Sequence, residues 1–310
     1  MESGQQNFFI LIMVVQFIIG NLSNGFIVLL NFIDWVNKRK LSSVDQILVM
    51  LAISRIGLIW EILVSWFQLM DSLLSVVDVK LIITIFIWIL SHHFTVWLAT
   101  VLSIFYLLKI ASFSRPIFLF LKWRVKKVTL MILLGSLVFL FLNLIQIKAH
   151  IEDWNNWYEG ITTWNSTVSD SATLSQLIIF NITMFSLTPF ILALISFLLL
   201  IFSLWKHLQK MQLNSKGHRD PRTKAHTNAL KTMISFLLFY TSYFLSLFMS
   251  WISQIYKIEL VHILALNIGL LYPSSHSLIL ILGNSKLRQA SLLVLRQLKC
   301  GTKDEKLTIP

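Results

Sequence analysis

Apolar positions along this chain gather into seven long runs, at about 7–33, 46–70, 81–108, 126–147, 174–205, 229–252 and 260–282, and the charged residues collect between them. Each run reaches the roughly 17 to 25 residues that a helix needs to cross about 30 Å of hydrocarbon. The pattern predicts an all-α membrane protein, a bundle of seven transmembrane helices. The spans use most of the 310 residues, so a single seven-helix membrane domain is expected, with 283–310 as a cytoplasmic tail.

Composition agrees with the pattern, and charge adds a direction to it. Charged residues make up 13% of the chain and apolar ones 56%, against an ordinary charged share of roughly 25%. The short loops that carry most Lys and Arg belong on the cytoplasmic side. With the N-terminus outside, the cytoplasmic segments hold three basic residues at Lys38–Lys40, six from Lys109 to Lys127, seven from Lys206 to Lys231 and six from Lys286 onward, 22 of the 26. The outer segments keep Lys80, Lys148 and Lys257, beside Asp71, Asp78, Glu152, Asp153, Glu159 and Asp170. The net charge of +12 therefore describes a cytoplasmic face set against anionic lipid and an acidic partner, not nucleic acid.

Smaller signals fit this topology. Asn165-Ser166-Thr167 is a glycosylation acceptor on the outer side, whereas the triplets at Asn21 and Asn181 fall inside spans. The segment before the first run is about six residues and has no basic n-region, so the first span is expected to serve as the insertion signal. Cys300 is the one cysteine, which excludes an intrachain disulfide. It follows an amphipathic run, Lys286 to Arg296, suited to the inner leaflet, and is either a palmitoylation site or a free thiol. The loop from Lys206 to Lys231 is expected to extend spans five and six beyond the membrane. The outer loop from about 148 to 175 carries Trp154, Trp157, Tyr158 and Trp164, as interfacial anchors or as a lid.

Polar residues inside the spans carry the candidate chemistry. Residues 49–67, VMLAISRIGLIWEILVSWF, hold Arg55 and Glu61. A charge near the bilayer centre costs at least about 2.5 to 3.5 kcal/mol, so both must face protein or water. At 1.5 Å and 100° per residue, Arg55 lies about 15 Å into span two, and Glu61 lies about 9 Å further and about 240° round. They are not an adjacent i,i+3 or i,i+4 pair, and Arg55 needs partners on other helices. Asn24, Ser274, His276 and Ser277 stand at matching depth. The contact is either a switchable lock or a static tie. Trp88 and His92 share one face of span three, with His93 adjacent, and Trp60, Trp66, Tyr240 and Tyr243 add aromatic candidates for a pocket. Pro189 and Pro273 mark kinks. No His-Glu-x-x-His, cysteine cluster or phosphate loop is present, so nothing points to an enzyme, a metal or a cofactor. Neither an inverted repeat nor a pair of matched broken helices suggests a transporter.

Several segments in order resemble the type 2 (bitter) taste receptors, a family of seven-helix G-protein-coupled receptors. They are IGNLSNGFIVLLN (19–31), LAISRIGLIWEILVSW (51–66), HFTVWLATVLSIFYLLKIASFSRPIFLFLKWRV (93–125), SLTPF (186–190), LISFLLLIFSLWKHLQKMQL (194–213), HTNALKTMISFLLFY (226–240), YFLSL (243–247) and YPSSHSLILILGNSKLRQ (272–289). Like that family, the chain has Phe105-Tyr106-Leu107-Leu108-Lys109 and Tyr272-Pro273-Ser274-Ser275-His276 where rhodopsin-like receptors carry Asp/Glu-Arg-Tyr and Asn-Pro-x-x-Tyr.

The resemblance implies a receptor that binds bitter small molecules in the outer half of the bundle. The implied ligand residues are Ser65, Trp66, Trp88, His92, His93, Tyr243, Leu266, Gly269 and Leu270. Asn24, Arg55, His276 and Ser277 are implied as an activation lock. Tyr106, Lys109, Lys210 and Lys231 are the expected contacts for a heterotrimeric G protein of the gustducin or inhibitory type. Two departures stand out: Leu266 replaces an acidic residue found in some members, and His92 replaces a common asparagine. Glu61 is a candidate substitute for the missing negative charge.

Overall fold

The computed structural model describes residues 3–70, 79–111, 113–160, 167–214 and 221–305. The described chain forms nine helices, α1 (Ser3–Val36), α2 (Ser43–Met70), α3 (Val79–Ile110), α4 (Pro116–Trp123), α5 (Val125–Gly160), α6 (Thr167–Asn214), α7 (Pro221–Tyr256), α8 (Glu259–Gly283) and α9 (Ser285–Glu305). Seven of them, all but α4 and α9, are long and apolar enough to cross a membrane, and each contains one of the seven apolar runs. In apolar surroundings a helix satisfies every interior backbone group within its own segment, so continuous helix is the stable state of these runs.

The helices overrun the hydrocarbon. At 1.5 Å per residue the 48 residues of α6 extend about 72 Å, and α7 begins at Pro221. Spans five and six do continue past the membrane, as their polar ends suggested. The loop expected at 148–175 is largely helical instead, since α5 runs to Gly160 and α6 starts at Thr167. Trp154, Trp157 and Tyr158 lie on a stretch whose side chains are outside the description, and Trp164 and Asn165 are outside the described residues. The short helix α4 was not legible as such. Pro116 occupies its first turn, where a missing N–H costs nothing, and Lys122 Nζ donates to the Ala111 carbonyl at 2.9 Å, folding α4 back onto the end of α3.

Packing places α3 and α8 at the centre. The former touches α2, α5 and α6, and the latter touches α1, α2, α7 and α9. Lipid-facing positions are apolar, as on α5 at Leu130, Met131, Leu134, Val138 and Phe141. Inward positions mix apolar groups with small hydroxyls that bond to their own helix, such as Thr183 to Ile179 O and Ser196 to Leu192 O. Small residues let the backbones approach. A Cβ at Gly57 would collide with Ser91 Oγ of α3, and one at Gly20 would lie 2.6 Å from Ser274 Oγ and 2.7 Å from Ile59 Cδ1. Asn181 donates to Gln146 Oε1 at 2.7 Å across α6 and α5 and Asn21 to its own helix at Phe17 O, so both extra triplets serve packing.

Both prolines within spans are braced from a neighbouring helix. Proline breaks the local backbone ladder, and here its own carbonyl gains a side-chain donor. Thr100 Oγ1 of α3 donates to Pro189 O at 2.9 Å, and Asn24 Nδ2 of α1 donates to Pro273 O at 3.0 Å.

The chain's C-terminal side is tied by a cluster of ion pairs absent from the sequence reading. Lys286 Nζ, at the start of α9, reaches Asp34 Oδ2 at 2.8 Å, Asn31 Oδ1 at 2.9 Å and Asp45 Oδ2 at 3.6 Å. Arg39 adds a 3.1 Å contact to Asp34 Oδ1. Asn284 caps α9 by accepting the Lys286 amide at 3.0 Å.

Candidate functional site

Two linked polar centres occupy the bundle. The deeper one is built on Arg55, which is fully buried on α2. Its Nη2 donates to the Tyr272 hydroxyl at 2.9 Å and its Nη1 to Ser277 Oγ at 3.3 Å, while its Cζ lies 4.8 Å from the centre of the Tyr272 ring. Ser277 Oγ in turn donates to Asn24 Oδ1 at 2.6 Å, and Asn24 holds Gly20 O and Pro273 O with its amide. The result is a knot of α1, α2 and α8 around the Pro273 kink. Among the described residues no carboxylate pairs with Arg55, so hydrogen bonds and the ring face carry its charge.

Of the partners expected for Arg55, Ser277 bonds directly and Asn24 acts through Ser277. His276 does not bond to it: its ring packs edge-on against Phe236 at 4.1 Å and alongside Tyr272 at 5.7 Å. Ser274 points at Gly20. Tyr272 was missed. Its signal lay beside Pro273 in the quoted YPSSH segment, but a tyrosine there reads as core until the neighbouring helix is known.

The second centre lies toward the N-terminal side. His92 Nδ1 meets the Tyr243 hydroxyl at 2.6 Å, and His92 Nε2 meets Ser186 Oγ at 2.6 Å, joining α3, α7 and α6. Ser186 gives its single proton to Ile182 O at 2.6 Å. With Ser186 so oriented its oxygen accepts from Nε2–H and Nδ1 accepts the Tyr243 proton; with the Ser186 proton turned to Nε2, Nδ1–H donates to Tyr243 instead. On α2, Ser65 Oγ donates to Glu61 Oε1 at 2.6 Å.

Trp66, Tyr243 and Leu270 belong to one buried cluster, with Trp88 and Leu266 packed against it. Gly269 faces Ser246 Oγ, 3.2 Å from where a Cβ would stand, and Ile62 Cδ1 of α2. His93 is not brought into this group. One residue beyond His92, it turns toward α5, with its ring 6.0 Å from Trp97, which meets Phe139 at 5.3 Å. Trp60 also leaves the set. It is 53% exposed, donates to Asn21 Oδ1 at 3.2 Å and leans on Phe17 at 5.0 Å, so it faces lipid between α1 and α2. Ser186 was missed because the SLTPF segment reads first as a kink signal.

Aromatic contacts join the two centres. Tyr243 lies 5.3 Å from Tyr272, and Tyr240 lies 5.6 Å from it. His92 is thus connected through Tyr243 and Tyr272 to Arg55 without a gap. On the C-terminal side, Tyr106 is half-buried against the core and Lys109 and Lys231 are exposed. The Lys210 and Cys300 side chains lie outside the described residues.

Sequence comparison now decides the class. The chain matches the family described as Taste receptor protein (TAS2R) over residues 1–299. It belongs to the type 2 taste receptor family. Proteins named taste receptor type 2 member 13 are 67% identical in Pongo pygmaeus and 66% in Homo sapiens, each over 95% of this chain and 97% of the relative. The protein of that name in Mus musculus is 57% identical over 98% of this chain and 100% of its own length. Type 2 taste receptors are receptors and not enzymes, and the seven apolar helices make this member a multi-pass membrane protein.

Proposed function

We propose that this type 2 taste receptor is a plasma-membrane bitter receptor with its N-terminus outside. Small bitter agonists bind in the outer half of the bundle against Ser65, Trp66, Trp88, His92, Tyr243, Leu266, Gly269 and Leu270, with His93 backing the α3 wall. The observation that carries the reading is the unbroken chain from His92 through Tyr243 and Tyr272 to Arg55. An agonist that moves Tyr243 disturbs the ring against which the Arg55 partner is packed. A ligand shifts a two-state equilibrium only by its differential affinity for the two states, and this chain of contacts supplies the difference. In this scheme the Asn24, Arg55, Ser277 knot, with His276 packed beside it, is the lock of the resting state.

Release of the knot lets α8 move at Pro273 and opens the cytoplasmic side. There Tyr106, Lys109, Lys210 and Lys231 engage a heterotrimeric G protein of the gustducin or inhibitory type, whose acidic surface suits the basic loops. Asn165 carries a glycan in this scheme, and Cys300 anchors α9 by palmitoylation.

The test is calcium release in cells expressing the chain with a gustducin-chimeric G protein, challenged with a panel of bitter compounds and stained for surface receptor. A response that vanishes without the G protein supports the reading. Agonist-evoked current that persists without it would replace the receptor mechanism with a channel.

A further inference from the structure

The short helix α4 packs one side on the bundle and leaves an apolar side uncovered. None of its 8 residues is buried. At 100° per residue, Phe118, Leu121 and Lys122 share the inner side. There Phe118 meets Phe113 edge-on at 5.1 Å beside the cluster that holds Leu107 and Leu204, and Lys122 Nζ donates to Ala111 O at 2.9 Å. Leu119, Phe120 and Trp123 are centred about 150° away round the helix, and they are 53%, 54% and 84% exposed. A contiguous apolar face of this kind marks a contact surface.

Position and charge identify what covers it. Helix α5 starts at Val125, and its lipid-facing Leu130 and Met131 follow Trp123 by seven and eight residues. At 1.5 Å per helical residue, Trp123 stands about 10 Å along the chain from hydrocarbon-facing side chains, the zone in which tryptophan anchors a membrane protein. Arg115, Arg124, Lys126 and Lys127 are exposed around the face, and no Asp or Glu occurs anywhere from 79 to 151. The Arg124 Cζ lies 4.7 Å from the centre of the Phe120 ring and 6.0 Å from that of Trp123, so its stem lines the apolar face and its charge sits at the rim. An apolar face with a cationic border suits the boundary between acyl chains and anionic headgroups.

We infer that α4 is a membrane-surface anchor, with Leu119, Phe120 and Trp123 seated in the lipid interface and the surrounding cations on anionic headgroups. Through the Lys122 to Ala111 bond and the contact of Phe118 with Phe113, the same lipid contact fixes the C-terminal end of α3. The anchor is separate from agonist binding and holds whether or not the receptor mechanism does.

The test uses the full-length receptor carrying Cys300→Ser, in nanodiscs of phosphatidylcholine with or without phosphatidylserine. A nitroxide is attached at Leu119→Cys or, in a second protein, at Phe120→Cys, so that Trp123 stays in place and either position reports if the other substitution unfolds the chain. Lys40→Cys, in an exposed loop, is the aqueous control. Power saturation compares collisions with oxygen, which concentrates in hydrocarbon, and with a nickel chelate, which stays in water. Both face positions should favour oxygen and the control nickel. Omitting phosphatidylserine should raise nickel contact at the face by about twofold or more, and Arg124→Gln with Lys127→Gln should do the same in its presence. Nickel-favoured collisions at the face in phosphatidylserine discs overturn the inference, and equal values in the two lipids overturn the anionic-lipid assignment. If the face is shielded from nickel only after a heterotrimeric G protein is added, its cover is protein and the lipid anchor falls.

Discussion

Tyr272→Phe isolates the bond on which the activation scheme depends. The substitution deletes the oxygen 2.9 Å from Arg55 Nη2 and little else. The ring keeps its place 5.3 Å from Tyr243, 5.6 Å from Tyr240 and 5.7 Å from His276, and it still lies under the guanidinium at 4.8 Å. A hydrogen bond to a charged group contributes about 1.5 to 3 kcal/mol, and here the freed N–H has no access to solvent because Arg55 is fully buried. If the knot belongs to the resting state, its loss moves the equilibrium toward signalling by about ten- to a hundredfold. Basal calcium signal, normalised to surface staining, therefore rises. Linkage requires agonists to gain apparent affinity from the same shift, so their half-effective concentrations fall. A variant at normal surface level with unchanged basal signal, and agonist potency within about twofold of the parent, would refute the lock.

Two further predictions concern assembly. Gly20→Ala puts a methyl group 2.6 Å from Ser274 Oγ and 2.7 Å from Ile59 Cδ1 and should lower thermal stability in detergent by about 1 to 3 kcal/mol. Gly25→Ala, with nothing within 4 Å, should be neutral or stabilising, because alanine favours helix by up to about 1 kcal/mol; equal melting of the two variants would remove the close-approach argument. Lys286→Met unties α9 from Asp34, Asn31 and Asp45. These contacts are partly exposed, so the expected loss is about 1 kcal/mol, on the order of 2 to 4 °C in melting temperature. The difference from the parent should shrink at 1 M salt, where the screening length is about 3 Å; a salt-independent difference would point to packing instead.

Seven spans were legible in the sequence because the membrane requirement acts locally. A run such as 126–147 must become helix in hydrocarbon whatever it packs against, so length and hydropathy suffice. Arg55 was legible for the same reason: a charge in span two has to face inward, and Asn24 and Ser277 stood at matching depth. Which groups it grips was decided by rotation and tilt, which bring Tyr272 and Ser277 to the guanidinium and turn His276 toward Phe236. No periodicity fixes the relative rotation of two helices whose interiors are both rich in serine and aromatic residues. His92 and His93 make the point most sharply. They are chemically alike and adjacent, yet 100° of helical turn sends one to Tyr243 and Ser186 and the other toward α5. Likewise Asp34, Asp45 and Lys286 are distant in sequence, and only the closing of α1, α2 and α9 around one point makes them a cluster. Length and hydropathy are enough to say how many helices cross and which residues cannot face lipid; packing chose their partners, because hydrogen bonds depend on ångströms and angles that emerge only when several helices settle together.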